Sequence, residues 1–436
     1  MLSVNYNKLA IHGGKPILSK KDIVKWCPVL QKDREAIKRV LDQNEIAGSN
    51  ATETVKLQQE WSQYIGVNNS ILTNSGTAAL HMAVASLGIK PGDEVIVPSY
   101  TFVASATSVL HHNAIPVFAD IEKDSLFISI KSMEKRINSK TKAIIVVHLN
   151  GMPAPIDKII SIAKKYNLKV IEDACQAHGA EYNGKKVGSF GDVAAFSLNK
   201  SKNLPAGEGG IFVTNSNDYF EIAKRLCKFG EIYNERGERD YNAYGLGWMY
   251  RSTEFVASFA RSRLKYLNEW NQKRRENVSY LNQLIDDIPG IKTILPIKNS
   301  LPAYWRYMFK IEPEELNLNI KPKNLRYLIQ NALIHEGLLI SQWQKMIVPK
   351  QTLFINRNGY GNGCPWSCDK SSKNIRYDKY DYPNGDNIVN QSLWLKEGIQ
   401  PFNSIETIEK IGLAIRKVFE NIELLIDSAK NDYNSF

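Results

Sequence analysis

The chain has 436 residues, 43% hydrophobic and 23% charged, which excludes a disordered polymer and asks for two domains unless one large α/β sheet absorbs most of the length. Five cysteines, an odd number, argue against a disulfide framework, and no stretch reaches the apolar length of a membrane span. The formal net charge is +11, but the lysines are spread along the chain, so the charge reads first as compositional bias, ahead of nucleic-acid binding or attraction of an anionic small substrate.

In chain order, the opening residues MLSVNYNKLAIHGGKP lack the layout of a signal peptide, and the cytoplasm is the expected location. ETVKLQQEWSQ, 54 to 64, has the period of an amphipathic helix. SILT then reads as a short buried strand, NSGT as a turn and AALHMAVASL as a helix. DEVIVPS (93 to 99) is a strand followed by a helix through TFVASATSVLHH, and AIPVFADI (114 to 121) and KAIIVVHL (142 to 149) are further strands. IDKIISIAKKYN is a helix. LKVIEDAC (168 to 175), DVAAFSL (192 to 198) and GGIFVTN (209 to 215) are strands. Strands alternating with helices of this length predict βαβ units and a largely parallel sheet covered on both faces. Residues 252 to 285 carry one long helical pattern, expected to leave the large domain and enter a smaller one. Beyond it, YWRYMFKI reads as a strand and ETIEKIGLAIRKVFENIELLI as helical, while the polar residues 351 to 390 read as a long loop or insertion that covers something.

In doubly covered sheets ligands bind beyond the carboxyl ends of strands, and the motifs of interest lie there. NSGTAAL, Asn74 to Leu80, offers free N–H groups and a hydroxyl at a helix N-terminus, a phosphate cradle or a plain N-cap. In IEDACQAHGA, Glu172 and Asp173 end an apolar strand, where a carboxylate can hold a metal, a ribose or a protonated ring nitrogen, or cap the turn. SLNKSKNLPAGEGG, 197 to 210, carries Lys200 and Lys202 beyond a later strand. A lysine there is solvated unless shielding or neighbouring cations lower its pKa and free the lone pair. The glycines of GEGG let the backbone turn sharply, and Ser197 can donate to a phosphate. An anion cradle, a carboxylate and a lysine in this order form a constellation for pyridoxal phosphate, which needs an anion site, a partner for its ring nitrogen and an amine.

On NSGTAAL, GDEVIVPSYTFVAS, AIPVFADI, AIIVVHLNG, IEDACQAHGA, GDVAAFSLNKSKN and GEGG, the chain resembles the DegT/DnrJ/StrS family of pyridoxal-phosphate sugar aminotransferases, from about residue 14 to 280 and more loosely to the end. The resemblance implies an α/β fold, the pyridoxal-phosphate transferase fold type I. Its large domain (1–265, with an N-terminal arm) has a mostly parallel seven-stranded sheet sandwiched by helices. A smaller C-terminal α/β domain (266–436) carries the polar insertion. It implies pyridoxal 5′-phosphate as cofactor, with pyridoxamine phosphate as the intermediate form. Lys202 takes the Schiff-base position, and Lys200 falls where the family has no essential amine. Asp173 pairs with the ring nitrogen, Gln176 sits near the ring, Phe102 stacks on it, and Gly76, Thr77 and Ser197 hold the phosphate. It also implies a homodimer whose active sites borrow residues across the interface, small-molecule substrates, and no nucleic acid or membrane partner.

The sequence departs from the family in places. Asn199 stands where a His is common, and Asn150 where the family has the Tyr of H-L-Y-G. GWMYR, 247 to 251, replaces G-Y-N-Y-R, so Met249 puts the cross-subunit phosphate contact in doubt. GGKP, WMYR and SQWQ…GCPWSC resemble a sub-branch that aminates keto-cyclitols or makes aminated aromatic acids. His148 and His178 read as structural histidines. Arg251 could bind a donor carboxylate or salt-bridge Glu254. Trp343 and Gln344 could contact substrate, or Trp343 could pack in the core. Cys364 and Cys368 lack a second Cys/His pair for a metal site.

The expected activity is transfer of an amino group from L-glutamine or L-glutamate to a keto-sugar or keto-cyclitol. The alternatives are a lyase or dehydratase on the same scaffold, opposed by the retained Lys202 and by Asn199 in place of His, an aminated-aromatic-acid synthase, or a non-catalytic regulatory protein, supported only by the charge.

Overall fold

Runs such as Val95–Val97 and Ile144–Val146 are apolar at every position, which suits strands covered on both faces. In the computed structural model, which describes residues 8–433 apart from 20, 49, 235–237 and 372–374, these residues are fully buried. β1 (Asn69–Thr73), β2 (Glu94–Pro98), β3 (Ile115–Ala119), β4 (Thr141–Val147), β5 (Lys169–Asp173), β6 (Val193–Ser197) and β7 (Gly210–Thr214) form one sheet in the order β1-β7-β6-β5-β4-β2-β3. All pairings are parallel except the two made by β7. The seven apolar runs read from the sequence are these seven strands. Helix Gly76–Ser86, apolar on every side, lies across β6 and β7 and is buried along nearly its whole length.

A second, antiparallel sheet comprises β8 (Ile291–Thr293), β9 (Tyr307–Ile311), β10 (Ile340–Ser341) and β11 (Ser392–Leu395), in the order β8-β9-β11-β10. Helices Leu267–Ile285 and Ile405–Glu420 pack together beside it; a Cβ on Gly412 would lie 2.8 Å from that of Leu284, so the small residue sets their close approach.

The expected single helix over 252 to 285 is instead two, Glu254–Leu264 and Leu267–Ile285. At the break the Tyr266 N–H turns back to the Arg263 carbonyl, a three-residue spacing. The Arg263 guanidinium is anchored in a buried ion pair with Asp33 at 2.6 Å, a tertiary constraint that no periodicity reveals.

Described residues between 10 and 24 lie along the C-terminal part of the chain. Leu18 N–H donates to the Glu336 carbonyl, and the buried Glu336 carboxylate meets Lys417 at 2.9 Å. The polar stretch 351 to 390 covers the free edge of β3. Tyr377 donates its hydroxyl to the Pro116 carbonyl at 2.8 Å and accepts from Trp366 Nε1 at 2.9 Å. Asn384 and Gly385 donate their N–H groups to Asp120 at 3.0 and 2.9 Å. An otherwise unpaired sheet edge is thereby capped. Among the described residues, no helix is long and apolar enough to cross a membrane.

Candidate active site

The carboxyl ends of β1, β5 and β6 converge on one cavity of about 310 Å³. Its wall contains all seven residues singled out in the sequence: Gly76, Thr77, Phe102, Asp173, Gln176, Ser197 and Lys202.

At the end of β1, Ser75 caps helix Gly76–Ser86 by accepting the Ala78 N–H at 3.0 Å, so the plain N-cap reading holds for its hydroxyl. The N–H groups of Gly76 and Thr77 find no acceptor among the described residues and remain for an anion. Position 76 cannot carry a side chain without movement, because a Cβ there would lie 2.8 Å from that of Ser197 and 3.2 Å from Cys175 Sγ.

Adjacent carboxylates on β5 point to opposite faces, as strand geometry requires. Glu172 turns away from the cavity. It meets His148 Nε2 at 2.9 Å and accepts the N–H groups of Gly188, Phe190 and Gly191 at 2.7–2.8 Å. Burial alone would raise its carboxyl, but His148 and these donors outweigh burial and hold it below the usual range. His148 Nδ1 accepts the Ala154 N–H at 3.0 Å, so this histidine is structural. Asp173 faces the cavity and is 6% exposed. Its Oδ2 accepts Ser105 Oγ at 2.6 Å and its Oδ1 the Cys175 N–H at 3.2 Å, with no cation paired to it among the described residues.

The lysine loop after β6 is held by its own polar groups. Asn199 Oδ1 accepts both the N–H and the hydroxyl of Ser201 at 3.0 and 2.9 Å, and Asn199 Nδ2 donates to Glu208 at 2.8 Å. Two indoles clamp the loop: Trp305 Nε1 donates to the Ser201 carbonyl at 2.6 Å and Trp26 Nε1 to the Lys202 carbonyl at 2.8 Å. Lys200 is exposed outside the cavity. Lys202 turns in, its Nζ 3.8 Å from the centre of the Trp305 ring and with no hydrogen-bond or ion-pair partner among the described residues. Burial lowers its ammonium from 10.5 to about 8, against the opposing pull of Cys175 and Asp173. Near neutrality such an amine is readily deprotonated, which frees its lone pair.

Gln176 accepts the Asn150 N–H at 2.8 Å on Oε1. Asn150 adopts a left-handed φ of 55°, which Asn tolerates, and its buried side-chain amide is unpartnered. Phe102 is 53% exposed at the rim of the cavity. Trp343 lines the cavity and packs edge-on against Tyr100 at 5.4 Å, so it serves wall and core together, whereas Gln344 is not part of the wall. His178 is buried against Trp61 and Phe196, and burial pushes it down to about 3, so it is neutral. Met249 is half exposed, and its carbonyl accepts Asn74 Nδ2 at 3.2 Å. Arg251 neither lines the cavity nor pairs with Glu254, whose carboxylate instead accepts the N–H groups of Glu53 and Thr54. Cys364 and Cys368 are free thiols, and no metal-binding cluster occurs among the described residues.

The model of the DegT/DnrJ/EryC1/StrS aminotransferase family matches residues 29–351. The chain belongs to this family. Over 288 residues the aminotransferase is 35% identical to L-glutamine:2-deoxy-scyllo-inosose aminotransferase of Streptoalloteichus tenebrarius, covering 64% of this chain and 68% of that one. Over 250 residues it is 37% identical to GDP-perosamine synthase of Vibrio cholerae, covering 57% and 67%. Among solved structures, S. venezuelae DesV in complex with a ketimine intermediate superposes with a TM-score of 0.76 at 27% identity, covering 89% of this chain and 94% of that one. The fold is also that of 3-amino-5-hydroxybenzoic acid synthase, with a TM-score of 0.81 at 23% identity over 93% of this chain and 100% of that one.

This sugar and cyclitol aminotransferase family depends on pyridoxal 5′-phosphate, and the cavity suits that group. It offers bare N–H groups for a phosphate, a buried carboxylate without a cation for a protonated ring nitrogen, and a shielded amine. Sequence reasoning missed Trp26 and Trp305, which lie about a hundred residues or more from the loop they clamp, and Ser105, whose only signal was its place in the TFVAS motif.

Proposed function

We propose that this aminotransferase moves an amino group from L-glutamine or L-glutamate to a keto-sugar or keto-cyclitol, and that it works as a homodimer. The observation that carries the chemistry is the meeting, in one cavity, of a lysine with a lowered pKa, a cation-free carboxylate and an uncapped pair of helix N–H groups. The donor and acceptor classes draw their support from relatives named for glutamine and 2-deoxy-scyllo-inosose and for GDP-perosamine synthesis.

When bound, the cofactor supplies an electron sink for the substrate's α-carbon. The Asp173 carboxylate would accept the ring N–H and keep that nitrogen protonated, an ion pair and hydrogen bond combined. The N–H groups of Gly76 and Thr77, with Ser197, hold the phosphate at the positive end of a helix dipole. Phe102 and Gln176, which line the cavity, would bound the space for the ring. Lys202 Nζ removes the α-proton of the donor and in the second half-reaction returns a proton to the acceptor carbon. One site serves both halves, so the kinetics are ping-pong. Lysine at 202 counts against the dehydratase alternative.

The test is the visible absorbance of the purified protein with pyridoxal phosphate. Wild type and Lys200→Ala turn yellow and bleach with L-glutamine or L-glutamate, and Lys202→Ala does neither. Keto-cyclitols and nucleotide-linked keto-sugars then restore the colour according to the true acceptor. A protein that stays colourless with added cofactor overturns the reading.

A further inference from the structure

A second pocket, of about 140 Å³, opens away from the catalytic cavity between helices Thr52–Ile65 and Asn217–Leu226 and the segment around Arg251. Its wall includes Thr54, Lys224, Cys227, Lys228 and Arg251. Three cations therefore share one small space.

Their partners are few. Lys228 is only 8% exposed, yet among the described residues no carboxylate pairs with it; its Nζ rests 4.4 Å from the centre of the Tyr233 ring. Burial, and then the charges of Lys224 and Arg251, hold its ammonium below the ordinary lysine range. Arg251 makes no ion pair among the described residues, and its buried Nε has no acceptor. Among the described residues Lys224 ion-pairs only with the surface carboxylate of Glu221, at 3.2 Å. The nearby Glu254 carboxylate is committed elsewhere: it accepts Glu53 N–H, Thr54 N–H and Thr54 Oγ1 at 2.6–2.8 Å. That also saturates the start of helix Thr52–Ile65, so the cations, not a helix dipole, define the pocket. The Cys227 thiol is pushed up to about 12 by burial and adds no thiolate.

Lys228 is buried while Lys224 and Arg251 are partly exposed, and a buried cation without a counter-charge carries a desolvation penalty that an anion in the pocket would relieve. A guanidinium fork beside two ammonium groups matches a tetrahedral oxyanion, with the fork binding two oxygens and the lysines acting as point charges. We propose that this pocket binds a phosphoryl group, either inorganic phosphate or the phosphate of a phosphorylated or nucleotide-linked substrate. The proposal does not depend on the donor or acceptor suggested above.

The test uses the cofactor-loaded enzyme, so that the catalytic anion cradle is already filled. Inorganic phosphate is titrated at constant ionic strength against chloride, with melting temperature and titration calorimetry as readouts. The expected result is a saturable rise in melting temperature with a matching binding isotherm. Arg251→Gln and Lys228→Met each weaken phosphate binding at least about tenfold, or about 1.4 kcal/mol. Lys200→Ala leaves it unchanged. In phosphate-free buffer Lys228→Met melts no lower than wild type, because it removes an unpaired buried charge, which separates lost binding from lost folding. A sugar phosphate or a nucleotide-linked sugar that displaces phosphate identifies the substrate as the source. If neither does, the free ion is the ligand. A rise that chloride reproduces, or wild-type affinity in both pocket variants, overturns the proposal.

Discussion

The Nζ of Lys202 lies 3.8 Å from the centre of the Trp305 ring, while the same indole's Nε1 donates to the Ser201 carbonyl at 2.6 Å. One side chain thus fixes the loop and faces the amine. The ring favours the charged amine and burial the neutral one, and burial wins, since the ammonium is held at about 8. In cofactor-free enzyme, the rate of cofactor capture therefore rises with pH through about 8, where a solvated lysine would respond near 10.5. Trp305→Leu removes a contact of up to about 2 kcal/mol and shifts that midpoint downward by up to about 1.5 pH units. Stopped-flow absorbance across pH measures both, and an upward shift would count against the ring's role. The sign for stability follows. Between pH 8 and 10.5 the unfolded chain holds a proton that the folded chain has released, so this group adds stability as pH rises through that window. Lys202→Met abolishes that increment in a denaturation series.

Ser105 Oγ donates to Asp173 Oδ2 at 2.6 Å and is itself within 3.0 Å of Thr101 Oγ1. Ser105→Ala leaves a buried carboxylate oxygen short of a donor, a loss of about 1–3 kcal/mol. Cofactor affinity is expected to fall roughly tenfold or more, the equivalent of about 1.4 kcal/mol, in a fluorescence titration. Ser105→Thr, which keeps the hydroxyl, recovers part of it.

Gly76→Ala forces a methyl to within 2.8 Å of the Ser197 Cβ, where two strand ends meet. Overpacking of this kind costs about 1–3 kcal/mol. The variant is expected to melt lower and bind cofactor more weakly, because the shift displaces the N–H groups that receive the phosphate. Normal affinity with a normal melting temperature would show that the cradle lies elsewhere.

Tyr377→Phe tests the insertion. Its hydroxyl links Trp366 to the Pro116 carbonyl on β3. Removing it strands one buried donor and one acceptor, for a loss of about 1–3 kcal/mol in chemical denaturation. Cofactor capture at saturating cofactor is unchanged, because the contact is remote from Lys202.

The sequence alone determined the sheet and seven of the residues that line the cavity. Short apolar runs bounded by turn residues suit strands covered on both faces, and the glycines, Asp173 and Lys202 lie at or just past their ends, where chain direction brings them to one rim. Tertiary structure alone decided what partners those residues have. Strand alternation sends Glu172 to His148 and leaves Asp173 free for the cavity, although the two are neighbours in sequence. Packing turns Lys202 inward and leaves Lys200 in water. Distant indoles at 26 and 305 clamp the loop between them, and the insertion caps β3. Among the described residues Arg251 makes no ion pair, while the Glu254 carboxylate goes to a helix N-terminus formed by residues about 200 positions away. Periodicity and spacing record which face a residue occupies, whereas burial, charge and hydrogen-bond partners depend on segments that only folding brings together.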